Sequence, residues 1–137
     1  MAKKDITHKT KRPSLWVRAQ EIKAQKNIGI HLVADFWYGK IIESEDGIRK
    51  ILIETVKKSN CKPLEISIHK FQPQGITGVI LLEESHIAIH SWPEFNYLAV
   101  DIFTCGDKAM PEKALEYLKR EFQPKKIRIK RIKRGII

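Results

Sequence analysis

Hydrophobic positions recur along this chain with two different periods. From Ile28 the segment GIHLVADFWYG is apolar and rich in β-branched and aromatic residues, which predicts a strand. Beyond ESEDG the period lengthens: Ile48, Ile51, Leu52, Ile53 and Val56 cluster at helical spacing in IRKILIETVKKSN. Ser44 is placed to cap that helix, with acids in the first turn and Lys57 and Lys58 in the last, where each sign suits the helix dipole. After Pro63 alternation returns, with Leu64, Ile66 and Ile68 set against Glu65, Ser67 and His69 as in a half-buried strand. Past the turn PQG, the runs GVILLEE (78–84) and SHIAIHSW (85–92) predict two more strands. PEFN turns the chain into the strand YLAVDIFTC, which Gly106 ends. Pro111 suits the first turn of a helix running to Phe122. Finally KKIRIKRIK alternates as a basic strand, expected at a sheet edge because lysines there discourage further pairing. At the other terminus, residues 1–12 read as a disordered basic arm, and Pro13 to Lys26 as a short helix.

Several strands follow one another through tight turns, so the expected fold is α+β: a two-layer sandwich with an antiparallel-rich sheet and helices on one face. A chain of 137 residues fits one domain, here residues 28–137, preceded by the basic arm 1–27. No apolar run approaches the roughly 20 residues of a membrane span, and the N-terminus lacks the apolar core of a secretory signal. Two cysteines, Cys61 and Cys105, do not make a disulfide framework, so reduced thiols in a cytoplasm are expected.

The net charge of +10 raises the question of nucleic acid. Its distribution changes the picture. Residues 1–27 hold eight Lys/Arg against two Asp/Glu, residues 119–134 hold nine against one, and the remainder is net acidic at −4. Basic ends without a recognition motif are expected to be solvated segments, and a nucleic-acid-binding module is the lesser alternative.

The chemistry-bearing residues gather between Phe71 and Gly106. Glu83 and Glu84 precede Ser85; His86, His90, Glu94 and Cys105 follow. Strict strand alternation would put Glu84, His86, Ala88 and His90 on one face and Ser85, Ile87 and Ile89 on the other. A zinc site from His86, His90 and Cys105 would lack the usual ligand spacings, so no metal is expected. A Ser/His hydrolase would lack the GxSxG elbow. Backbone self-cleavage at Glu84–Ser85 needs a hydroxyl beside the preceding carbonyl, a distorted turn and a group to move protons. Composition and spacing alone leave this choice open.

The segment ESHIAIHSWPE followed by VDIFTCG resembles the signature of the prokaryotic S-adenosylmethionine decarboxylases. The likeness extends over roughly residues 28–136 and includes HLVADFW and FQPQGITG. It implies a proenzyme that cuts itself at Glu84–Ser85 into residues 1–84 and 85–137. The Ser85 hydroxyl would attack the preceding carbonyl to form an ester. β-Elimination and hydrolysis would then leave a pyruvoyl group at the new N-terminus. That carbonyl would form a Schiff base with the substrate amine and accept electrons as CO₂ leaves, the part played elsewhere by pyridoxal. The resemblance further implies that His90 promotes the elimination and that Thr77, where the family commonly has Ser, supports processing. Cys105 would return the proton to the substrate carbon, Phe71 would stack on adenine and Glu94 would take the ribose hydroxyls. It also implies a homodimer whose sites use residues of both protomers, with decarboxylated S-adenosylmethionine serving spermidine synthesis.

Two features depart from the pattern: Gln74 stands where an aromatic is frequent, and the N-terminal arm is long. Gln74 keeps arginine or ornithine as the alternative substrate on the same scaffold. Trp16, Trp37 and Trp92 read as packing residues, His31 and His69 as ordinary polar positions within strands, and Asp101 has no legible role.

Overall fold

The computed structural model describes residues 27–137. The arm 1–27 and the short helix expected before Lys26 thus lie, all but Asn27, outside the described residues. Six strands form one sheet: β1 (Asn27–Trp37), β2 (Pro63–Lys70), β3 (Ile76–Leu82), β4 (Ser85–Trp92), β5 (Tyr97–Cys105) and β6 (Lys126–Ile136). Their spatial order is β2-β3-β4-β5-β1-β6, and every neighbouring pair is antiparallel. Two helices, α1 (Glu45–Ser59) and α2 (Pro111–Phe122), pack on each other and cover one face. This is the α+β sandwich expected from the order of elements.

Local chemistry explains the helix ends. The Ser44 hydroxyl accepts a hydrogen bond from the Gly47 amide at 3.0 Å, and Asn60 closes α1 in the left-handed conformation that ends many helices. Pro111 opens α2, where its missing N–H costs nothing. Ala114, Leu115, Leu118 and Phe122 bury one stripe of α2. They meet Leu32, Ala34, Phe36, Ile87, Ile89, Leu98, Val100 and Ile102 in a single core with the α1 residues Ile48, Leu52 and Val56. Gly78 lets α1 come close, because a Cβ there would lie 2.8 Å from Leu52 Cδ1, inside ordinary carbon contact.

Two boundaries differ from expectation. β3 stops at Leu82, so Glu83 and Glu84 form a two-residue hairpin turn rather than the end of a strand. PEFN contains one turn of 3₁₀ helix at Pro93–Phe95. β6 lies at the sheet edge as its lysines predicted, and all its residues are exposed.

Among the described residues no layer covers the face opposite the helices. On β5 buried residues alternate with half-buried ones along the whole strand, so the open face is intermediate in exposure rather than polar. Val33, Val79, Ala99 and Phe103 lie there beside His31, Asp35, His86, His90 and Asp101. Period-2 geometry makes both faces from the same strands.

Candidate active site

The expected site residues fall into two groups at opposite ends of β4. One group surrounds the β3–β4 turn. Leu82 pairs with Ser85 across it, and Glu84 is held at φ 77°. That left-handed conformation is costly for a residue with a Cβ, by roughly 1–3 kcal/mol, and turns usually place Gly or Asn there. The next residue, Ser85, has a buried Oγ with no hydrogen-bond partner among the described residues. A buried hydroxyl left unpaired costs about 1–3 kcal/mol. Strain and an orphaned hydroxyl thus meet at one peptide bond. Glu84 and Cys105 line the same cavity, of about 330 Å³, with Asn60, Cys61 and Asp107 among its other walls.

The second group sits at the far end of β4. Thr77 pairs directly with His90, and Thr77 Oγ1 lies 3.1 Å from His90 Nδ1. Both line a cavity of about 220 Å³ with Phe71, Gln74, Trp92 and Glu94. The Gln74 amide donates to Glu94 Oε1 at 3.3 Å, so the residue that departs from the family pattern holds the carboxylate in place. Phe71 is exposed and meets His69 edge-on at 4.5 Å. Trp92, read from sequence as packing, is 40% exposed and forms a wall of this cavity. Its signal was its place in SHIAIHSW: two residues beyond His90, it shares the open face.

Between the two groups the open face carries a polar cluster that the sequence did not reveal. His31 Nε2 lies 3.2 Å from Asp101 Oδ1, and its ring packs on Phe103 at 5.3 Å and edge-on to His86 at 6.2 Å. Arg134 caps Phe103 from 4.8 Å. Burial holds the His86 imidazole below its ordinary pKa, and the neighbouring His31 lowers it further. Nearer the second group, Tyr97 stacks between Trp37 and Trp92 and donates to Asp35. Burial and that bond push the phenol up to about 12.

His86 and His90 share the open face, but His90 belongs to the second group and Cys105 to the first. The three do not converge within one chain. Ser85 opens β4, five residues before His90, so the Ser/His hydrolase pairing is also missing within one chain.

The S-adenosylmethionine decarboxylase family model matches residues 30–135. The chain belongs to that family. It is 42% identical over 111 residues to the S-adenosylmethionine decarboxylase proenzyme of Clostridium kluyveri, covering 80% of this chain and 88% of that protein. The proenzyme of Methanococcus maripaludis is 40% identical, with 82% and 93% covered. The one from a Sulfurihydrogenibium species is 44% identical, with 82% and 86% covered. Among solved structures, the adenosylmethionine decarboxylase of Aquifex aeolicus superposes with a TM-score of 0.75 at 38% identity, over 82% of this chain and 94% of that one. The activity of the family is pyruvoyl-dependent decarboxylation of S-adenosylmethionine after autocatalytic serinolysis of a proenzyme, yielding decarboxylated S-adenosylmethionine for polyamine synthesis.

Proposed function

We propose that this chain cuts itself between Glu84 and Ser85, and that Ser85 thereby becomes the pyruvoyl cofactor with which it decarboxylates S-adenosylmethionine. The observation that carries the assignment is the buried, unpartnered Ser85 Oγ next to the left-handed Glu84. These residues fit the precursor of the group. A hydroxyl with no competing partner is free to attack the Glu84 carbonyl, and the resulting N-to-O shift releases the strained peptide. Elimination then removes the Cα hydrogen of Ser85 while the ester leaves as the new C-terminal α-carboxylate of Glu84; the dehydroalanine left behind tautomerises to an imine, and water hydrolyses it with loss of ammonia to leave the pyruvoyl carbonyl. When formed, the pyruvoyl group supplies the carbonyl that takes the substrate amine and the electron sink for the departing CO₂.

The base for the elimination is His90, steadied by the Thr77 hydroxyl. Five residues of extended strand separate it from Ser85, about 17 Å, so a single chain cannot supply both. A second copy can. A two-fold axis between two open faces, parallel to the sheets and perpendicular to the strands, turns one copy end for end. It lays the His90 end of one protomer over the Ser85 end of the other. The half-buried apolar positions of the open face support such a homodimer. Because the base takes the Cα hydrogen, it need not share the face of Ser85 Oγ.

In each composite site Cys105 returns the proton to the substrate carbon on the cleavage side, where it lines one cavity with Glu84. From the other protomer Phe71 and Trp92 stack on adenine, and Glu94, held by Gln74, takes the ribose hydroxyls. Both cysteines are free thiols, which fits a reducing cytoplasm. Among the described residues no helix is long and apolar enough to cross a membrane.

Intact mass under denaturing conditions, joined to turnover on S-adenosylmethionine, arginine and ornithine, tests the assignment. Two chains, 1–84 and 85–137, the second with a blocked N-terminus, and CO₂ release from S-adenosylmethionine alone are expected. A single stable chain with Ser85 intact would overturn it, and steeply salt-dependent RNA binding by that uncut chain would favour the nucleic-acid module.

A further inference from the structure

The Cys105 thiol stands where it does because of a missing side chain on the neighbouring strand. Gly29 pairs with Cys105 across the β1–β5 ladder. A Cβ at Gly29 would lie 2.7 Å from Phe103 Cε1, 2.7 Å from the Thr104 carbonyl oxygen and 3.0 Å from Cys105 Sγ. All three are inside the 3.5–4.0 Å of ordinary contact. The thiol and the ring edge therefore occupy the space that any other residue at position 29 would fill. They cannot simply lean away together. Phe103 is held on its faces by the His31 ring at 5.3 Å and by the Arg134 guanidinium at 4.8 Å, and edge-on by His86 at 5.9 Å. His31 is in turn bound to Asp101. The Thr104 oxygen is backbone. The most mobile of the three neighbours is the thiol itself.

We infer that Gly29 is a positioning residue for the decarboxylation: its empty side-chain position, walled by the clamped Phe103 ring, seats the Cys105 thiol beside the cleavage site. This inference rests on the reading of Cys105 as proton donor. A proton donor must lie within hydrogen-bond reach of the carbon it serves, and an ångström of misplacement is expensive. His31, Asp101 and Arg134 act at one remove, by fixing the ring.

The test separates the seat from the activity. In the uncut Ser85→Ala protein, the rates of iodoacetamide alkylation of Cys105 and Cys61 are read separately by peptide mass spectrometry. Gly29→Ala in that background is expected to change the Cys105 rate about tenfold and leave Cys61, at the end of α1, as it was; a shift of one residue's exposure is the scale involved. In the self-cleaving protein, Gly29→Ala is expected to process fully and hold KM, while kcat falls about 100-fold. An unchanged Cys105 alkylation rate, or an unchanged kcat, overturns the inference. Should Gly29→Ala alone fail to fold, adding Phe103→Leu relieves the ring contact but leaves the new Cβ 3.0 Å from Cys105 Sγ, so the thiol is still expected to shift. The comparison is then with Phe103→Leu alone, and equal Cys105 rates in the two again overturn it. Failure of the underlying reading looks different: Cys105→Ala would turn over normally while the alkylation result stood.

Discussion

The two ends of β4 carry reactive groups in opposite conditions. At the His90 end the polar side chains are paired: Thr77 with His90, Gln74 with Glu94. At the Ser85 end the hydroxyl has none among the described residues, and the residue before it is held in a conformation that favours glycine. The difference teaches how one sheet divides its labour. On the proposed roles, the bond to be broken carries the strain, and the imidazole that acts on it from the other end is set by a hydrogen bond. The two conditions are kept apart by the length of a strand, and the proposed dimer would bring them together.

Removing the reactive end altogether has the largest expected effect. Ser85→Ala gives one uncut chain and no turnover, read by intact mass and CO₂ release. His90→Ala is next, slowing cleavage by about 10²–10⁴-fold, the range of a lost general base. Co-expressing the Ser85→Ala and His90→Ala chains sharpens the comparison. A mixed dimer has one site with both native groups, so cleavage of the His90→Ala chain should return; if it stays uncut, the two ends do not meet across protomers. Glu84→Gly, measured in the Ser85→Ala background, is expected to raise stability by about 1 kcal/mol by relieving the left-handed residue, seen as a higher Tm.

The smallest effect is the pH response of the open face. His86 has a lowered folded pKa, so the unfolded chain binds its proton first as pH falls through the ordinary value of 6.5. Its contribution is therefore present at neutral pH and lost on acidification. His86→Gln should flatten the fall in Tm between about pH 7 and about pH 5, which lie on either side of the ordinary histidine value.

Much of this was legible in the chain. Period and punctuation gave α1 and α2, the Ser44 cap, the run of antiparallel strands and the basic edge strand, because each depends on neighbours within a few residues. The family signature marked the same residues that the fold gathers at the two ends of β4. Alternation misjudged Glu84, which it kept in a strand; the tight hairpin takes that residue out of the ladder and into the left-handed region. It also left His31, Asp101 and Trp92 with bland roles, since their partners lie on other strands.

What the sequence determined by itself was the set of elements, the sign of charge along the edge and the identity of the chemical groups. The distances came only with the folded chain: that Ser85 Oγ has no partner among the described residues, that Cys105 lies against Gly29, and that His90 stands a strand's length from Ser85. Period-2 geometry assigns a residue to a face, but the register between strands distant in sequence sets which side chains touch, and that register is fixed by packing of the whole core.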